Sequence, residues 1–219
     1  MGLRDLSLKQ EYRSDIDDVV SEFFIPCLAN SIQYDRTVEF ISIKSLSTLT
    51  FGLENIQDHH AKIRLVSGHR FSTTDLNMIK KLFGQRDTHR FNGNLIRDHK
   101  IIELQKIIND FKLEIKIAIP NSEYIDGTFE ERMGIFRDTN DDIVAFSGTS
   151  NSTFDAENRN FESVDVFTSW DDKSRVETKI KNFENLWNNE TEYVQVYDLI
   201  FAERKNLIKF TTEWATSSY

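Results

Sequence analysis

Cysteine is nearly absent. Cys27 is the single one in 219 residues, which excludes an internal disulfide and a cysteine metal cluster and makes a reducing compartment, the cytoplasm, the expected setting. Proline and glycine are scarce as well, at two and eight residues. No stretch therefore reads as a linker, a repeat or a low-complexity segment, and one compact domain over 1–219 is expected. No apolar run approaches the roughly 18 residues of a membrane span. The opening residues Met1-Gly2-Leu3-Arg4-Asp5-Leu6 lack the apolar segment of a signal peptide, and Leu6 stands where a myristoylation motif wants Ser or Thr. No membrane association is expected. Basic residues are outnumbered, 27 Lys and Arg against 36 Asp and Glu, for a net charge of −9. That balance disfavours a broad grip on nucleic acid and leaves a local basic patch as the route to any phosphate ligand.

What is present is regular apolar patterning. Ser14 to Ile32 carries Ile16, Val19, Val20, Phe23 and Phe24 at helical spacing and predicts a helix bent or ended near Pro26. Val38 to Ile43 predicts a buried strand, Leu46 to Ile56 a short helix and Lys62 to Val66 the next strand, a βαβ unit with a parallel pair. Ser72-Thr73-Thr74-Asp75 caps a helix to about Phe83, and Gly84 to Asn94 reads as a loop. Ile101 to Phe111 (helix) and Leu113 to Ile119 (strand, stopped by Pro120) make a second βαβ unit. Ser174 to Asn188 predicts an amphipathic helix with Val176, Ile180, Phe183 and Trp187 on one face, followed by a strand at Tyr193 to Val196 and a helix at Leu199 to Ala215. The implied class is α/β, with a mixed, largely parallel central sheet and helices on both faces.

Chemistry concentrates between Gly127 and Phe167. Met133 to Phe136 and Ile143 to Phe146 are short apolar runs joined by the polar connector 137–142, the pattern of an antiparallel hairpin. Strand alternation sends Glu130 and Arg132 to one side and Met133 and Ile135 to the other, so opposite charges leave one strand together. The second run ends in Ser147-Gly148-Thr149-Ser150-Asn151, a turn whose small backbone, hydroxyls and amide offer several donors to an anion such as phosphate.

Other motifs have plainer readings. His60-Ala61-Lys62 starts a strand without the rest of a catalytic constellation, and His59 and His60 read as solvated. His69, His89 and His99 lack zinc-ligand spacing. Asp17-Asp18 and Asp141-Asp142 read as turns or solvated faces, and the 17 phenylalanines as core. No cofactor and no metal are expected.

The segments Phe129-Glu130-Glu131-Arg132-Met133-Gly134-Ile135-Phe136, Ala145-Phe146-Ser147-Gly148-Thr149-Ser150-Asn151 and Phe161-Glu162-Ser163-Val164-Asp165-Val166-Phe167 resemble the phospholipase D superfamily. The likeness is to the phosphodiesterase or nuclease domain found with bacterial restriction and defence helicases. That family carries His-x-Lys, a downstream Asp, Gly-Ser-x-Asn and a later Glu. The resemblance implies a phospholipase D-like fold and a site in which the His attacks phosphorus while Lys and Asn hold phosphate oxygens. Carried over by position, Glu130 stands for the His, Arg132 for the Lys, Thr149 for the Ser, Asn151 is kept and Glu162 stands for the later Glu. Asp138 falls one residue past the expected Asp. The implied catalytic pair is Glu130 and Glu162, in a degenerate site, and the implied phosphate ligands are Arg132, Ser147, Thr149 and Asn151.

A carboxylate cannot protonate a leaving group unless its pKa is raised, and a cation beside Glu130 would hold it ionised. Arg132 still has a planar fork suited to phosphate. The first expectation is thus a pseudo-nuclease that binds phosphate or nucleic acid, or serves assembly, in a restriction or defence setting. The second is a working phosphodiesterase with a non-standard site, and the third is a structural dimerisation module. One motif per chain implies a homodimer, with a helicase as partner or fusion. A carboxylate metal site of Glu130, Glu131 and Glu162 is disfavoured by Arg132.

Overall fold

The structure is a computed structural model that describes residues 1–43, 45–46, 61–84, 105, 108, 112–121, 123, 127–149 and 161–210. Ten strands are described: β1 Glu11–Arg13, β2 Gln33–Val38, β3 Lys62–Gly68, β4 Arg70–Phe71, β5 Lys112–Pro120, β6 Met133–Arg137, β7 Ile143–Gly148, β8 Ser163–Thr168, β9 Val194–Asp198 and β10 Lys209–Phe210. Eight form one sheet in the order β1-β8-β7-β6-β2-β3-β5-β9, and β4 pairs with β10 beside it. The helices are α1 Ile25–Ala29, preceded by a π-helical turn at Val20–Phe24, then α2 Thr73–Gly84, α3 Lys173–Trp187 and α4 Leu199–Arg204.

The expected mixed α/β sheet is present. Its parallel part is confined to the ladders β2/β3 and β3/β5; the other five ladders of the large sheet are antiparallel. The physical reason lies in the connections. Chain segments with crossovers give the parallel pairs, whereas β6, β7 and β8 follow one another directly and fold back on themselves.

Alternation places each strand's side chains on two faces. One face carries Ile63, Leu65, Ile115, Phe136, Val144 and Phe146 against Phe23 and Phe24 of the π-turn and Leu76 and Ile79 of α2. The opposite face carries Val66, Ala118, Met133, Ile135, Ile143 and Ala145 against Val176, Phe183, Leu186 and Trp187 of α3. Helices thus cover both faces. On the first face the rings of Phe23, Phe24, Phe136 and Phe146 interlock edge to face at 5.0–6.5 Å, with Phe136 and Phe146 stacked at 5.5 Å. Gly134 makes room for this cluster: a Cβ there would lie 2.3 Å from the Phe146 ring.

The second face holds a buried ion pair. Asp35 and Arg64 are directly paired residues of β2 and β3, and Arg64 Nε and NH2 each donate to Asp35 at 2.7 Å. The same NH2 donates to Glu184 of α3 at 2.6 Å, and the guanidinium lies 4.9 Å from the Phe183 ring. Helix α3 is therefore tied to the sheet by charge as well as by apolar contact.

Several elements differ from expectation. The strand expected at Val38 to Ile43 lies earlier, at Gln33–Val38, because Asp35 and Arg36 are buried in it and disguise its apolar alternation. The helix expected from Ser14 begins only at Val20, after the short strand β1, and runs through Pro26 by changing from π to α winding at Ile25. The last helix stops at Arg204 rather than continuing to Ala215, where Asn206 takes a positive φ of 55° and the chain turns into β10. Helix α2 starts as expected, with Asp75 N–H donating to Ser72 Oγ at 3.0 Å. The expected loop at Gly84 to Asn94 and most of the expected helices at Leu46 to Ile56 and Ile101 to Phe111 lie outside the described residues, as do His59, His60, His89 and His99. Among the described residues no helix is long and apolar enough to cross a membrane.

Two outcomes follow from the buried charges. Arg64→Ala leaves the Asp35 carboxylate, with only 6% of its side chain exposed, without its counter-charge and lowers stability by about 3–5 kcal/mol, read from the urea midpoint. His69 is 3% exposed and its Nδ1 has no partner. Burial, and then Lys209 and Arg70, push its pKa below the ordinary value. The neutral form is therefore favoured on folding, so its contribution is complete above the usual histidine range near ~6.5 and is lost as the pH falls below it. His69→Gln removes that part of the pH dependence of stability, measured by denaturant titration at successive pH values.

Candidate functional site

The site is assembled at one end of the sheet, where β2, β6, β7 and β8 finish or begin side by side. Thr37 of β2 anchors the start of β6: Met133 N–H donates to its Oγ1 at 2.9 Å. One residue earlier, Gly148 N–H donates to the Arg132 carbonyl at 3.2 Å, so the β6–β7 ladder extends to Arg132 opposite Gly148. At Gly148 a side chain is excluded, since a Cβ would lie 2.0 Å from the Ser163 carbonyl oxygen. Thr149 closes the β7–β8 pairing: its N–H donates to the Ser163 carbonyl and its Oγ1 accepts from Ser163 N–H, both at 2.9 Å.

Arg132 is ion-paired with Glu39, which follows β2 and lies 93 residues away in the chain. Both side chains are about a quarter exposed, 26% and 23%, and Arg132 Nε is buried without a hydrogen-bond partner. Arg36 of β2 lies nearby on the aromatic face. It is 2% exposed, with its guanidinium 4.6 Å from the Phe146 ring and 5.8 Å from that of Phe24. Burial pushes its pKa below the ordinary value; Tyr34 and Glu162 pull it back up, and Arg132 pushes it further down. Arg36 thus feels the charges of both Glu162 and Arg132. Glu162 is half-buried just before β8, and its backbone is clipped to Ser14: Glu162 N–H donates to Ser14 Oγ at 2.8 Å, and Ser14 N–H to the Glu162 carbonyl at 3.0 Å.

The residues singled out from the sequence are thus only partly gathered. Arg132 pairs with Glu39, and Glu162 is linked to Arg132 only through Arg36, whose charge is influenced by both. Glu130 does not join them: its side chain is exposed and accepts from the Thr128 hydroxyl at 2.9 Å. The expected pairing of Glu130 with Arg132 is replaced by that of Glu39 with Arg132, because a strand end opposite another strand's end offers a nearer and more sheltered carboxylate. Ser147 is in register with Met133, whose side chain packs against α3, so alternation sends Ser147 to the face opposite Arg132. Thr149 is exposed, and Asn151 lies outside the described residues.

Asp138 belongs to the other end of β6, about 20 Å along the strand from Arg132. It is 2% exposed and accepts from the backbone N–H groups of Leu3, Asn140 and Asp142 at 2.8–3.0 Å, which makes it the organiser of the hairpin turn. His69, the one histidine described, has Lys209 and Arg70 as its charged neighbours. Among the described residues no group of three or more His, Cys, Asp or Glu is placed to hold a metal ion.

Sequence reasoning missed Arg36 and Glu39. Charged residues inside and just after an apolar strand read as solvated unless the strand is known to be central. The signal that would have found Arg36 is the glycine opposite it: Gly134 is its direct partner in the β2/β6 ladder, and a small residue facing a long one across a sheet marks a side chain that lies over the backbone.

No protein-family model matches the chain, and no curated protein matches it. Eighteen chains of solved structures do. Among them, NucT from Helicobacter pylori is similar over 85% of this chain and 97% of its own length, at 10% identity and a TM-score of 0.47.

The close approach at Gly148 sets an expected outcome. Gly148→Ala forces β8 away from β7 where Thr149 and Glu162 are held, and lowers stability by about 1–3 kcal/mol or more, measured as a drop in the thermal midpoint.

Proposed function

We propose that this chain is a degenerate phospholipase D-like domain that binds a phosphate group, nucleic acid being the leading source, without cleaving it. The observation that carries this reading is that Glu130 and Arg132 are held by different partners. In a working site of this type the nucleophile and the phosphate-binding cation act on one phosphorus atom, and proximity of the two is a large part of the rate. Here the side chain at the nucleophile position is an exposed carboxylate bonded to Thr128, while the cation is held by Glu39.

A carboxylate at this position also lacks the second function of an imidazole: once it has attacked as the anion, it has no proton to give to a leaving alkoxide, so even an attack on phosphorus would stall at the departure step. Arg132 keeps the donor geometry that suits a phosphate, and Arg36 adds a second positive charge beside it. These two cations stand in a chain of net charge −9, so binding is expected to be local, weak and steeply dependent on salt.

The resemblance in the sequence, rather than anything in the geometry, motivates a homodimer that brings two such sites together and a setting in bacterial restriction or defence beside a helicase. It also motivates Thr149 and Asn151 as further phosphate ligands.

Hydrolysis of bis(p-nitrophenyl) phosphate and of single- and double-stranded DNA, with EDTA and with divalent metals, tests the reading. The purified chain is expected to be silent while binding DNA in a salt-dependent manner that Arg132→Ala abolishes. Cleavage that disappears in Glu130→Ala would overturn it and make Glu130 a nucleophile. A Glu130→His/Arg132→Lys variant that cleaves where the natural chain does not would locate the loss of activity at these two positions.

A further inference from the structure

Arg132 is only partly open in the free protein, with 26% of its side chain exposed. Its NH2 group is taken by the Glu39 carboxylate, and the pair is three-quarters buried, where water and salt screen it less than a surface pair. The hairpin does not need this contact to form. Its ladder is closed by backbone pairing from Met133↔Ser147 to Arg137↔Ile143, by the Gly148 to Arg132 backbone bond and by the Thr37 anchor.

A guanidinium presents the same donor fork to a carboxylate and to a phosphate, so Glu39 and a phosphate oxygen compete for one set of N–H groups. An incoming anion must therefore move the Glu39 carboxylate aside before it reaches the NH2 group of Arg132.

We infer that Glu39 is the gate of this anion site: it occupies the phosphate-binding edge of Arg132, and a phosphodiester oxygen enters only by displacing it. The inference rests on the reading of Arg132 as a phosphate ligand and adds the residue that sets its affinity. Exchange of one anion for another at a single guanidinium makes binding by the natural chain weak, and neutralising Glu39 removes the negative charge paired with Arg132 and loosens its hold on the NH2 donor. Glu39 is then an affinity-determining residue that does not itself touch the bound ligand.

The test compares the natural chain with Glu39→Gln and Glu39→Ser, each alone and combined with Arg132→Ala. Binding of a fluorescent oligothymidylate is followed by anisotropy and that of inorganic phosphate by calorimetry. Asp141→Asn serves as the control for net charge, since Asp141 is exposed at the far end of β6 with Arg137 as its partner. Glu39→Gln and Glu39→Ser are expected to bind the oligonucleotide about tenfold more tightly or better, a difference of about 1.4 kcal/mol. The gain should vanish when Arg132→Ala is added, and Asp141→Asn should leave affinity nearly unchanged. An equal gain in the presence of Arg132→Ala, or an equal gain from Asp141→Asn, would reduce the effect to bulk charge and overturn the gate. Unchanged affinity in both Glu39 variants, with binding by the natural chain that Arg132→Ala abolishes, would overturn the gate and leave Arg132 as a ligand. No binding of either probe by any of these proteins would overturn both. Tightening for inorganic phosphate as well as for the oligonucleotide would identify the phosphate group itself, rather than the bases, as what the gate controls.

Discussion

The paired hydrogen bonds from Arg64 to Asp35 hold the seam of the sheet. β2 is one of the two strands at which the parallel part meets the antiparallel part, pairing with β3 on one side and β6 on the other, as β5 does with β3 and β9. The buried charges set the register of β2. A slip of one residue would carry Asp35 to the aromatic face and leave Arg64 beside Phe183 and Trp187 with Glu184 alone as its counter-charge. Glu184 extends the same contact to α3, so the position of the covering helix along the sheet is fixed by the pair that fixes the strands. Such a network contributes less to net stability than an apolar core of the same volume, because desolvation offsets much of the attraction. Its effect falls on which arrangement forms.

From that register the site follows. Asp35, Arg36 and Thr37 are consecutive and alternate in direction: Asp35 goes to the α3 face, Arg36 to the aromatic face beside Phe146, and Thr37 to the amide of Met133 at the start of β6. Glu39 leaves the end of the same strand and meets Arg132. A single strand and the residue just after it thus carry the scaffold contact, a buried cation, the anchor of the hairpin and the carboxylate that pairs with Arg132. Gly134 and Gly148 supply the space, one beneath Phe146 and Arg36 and the other beneath the Ser163 carbonyl.

The elements legible from the sequence were those whose pattern repeats locally. The hairpin of Met133 to Phe136 and Ile143 to Phe146 needs only two apolar runs and a polar turn, and it forms as β6 and β7. Helices α2 and α3 announce themselves by apolar spacing and, in α2, by the Ser72 cap. β2 was misplaced by several residues because its charged members are buried, and local pattern treats charge as a sign of solvent. The end of α4 was overrun because apolar spacing continued while the backbone had already turned at Asn206.

The amino-acid sequence by itself determined the amphipathic helices, the hairpin and the presence of a cation at 132 with a carboxylate at 130. These depend on the chemistry of neighbours along the chain, at separations a strand or helix repeat can reach. Which carboxylate Arg132 takes was decided only by the tertiary structure. Glu130 is two residues away and goes instead to Thr128, whereas Glu39 is 93 residues away and forms the pair. Coulomb attraction depends on distance through space and on shelter from water, and both were set when β2 docked against β6.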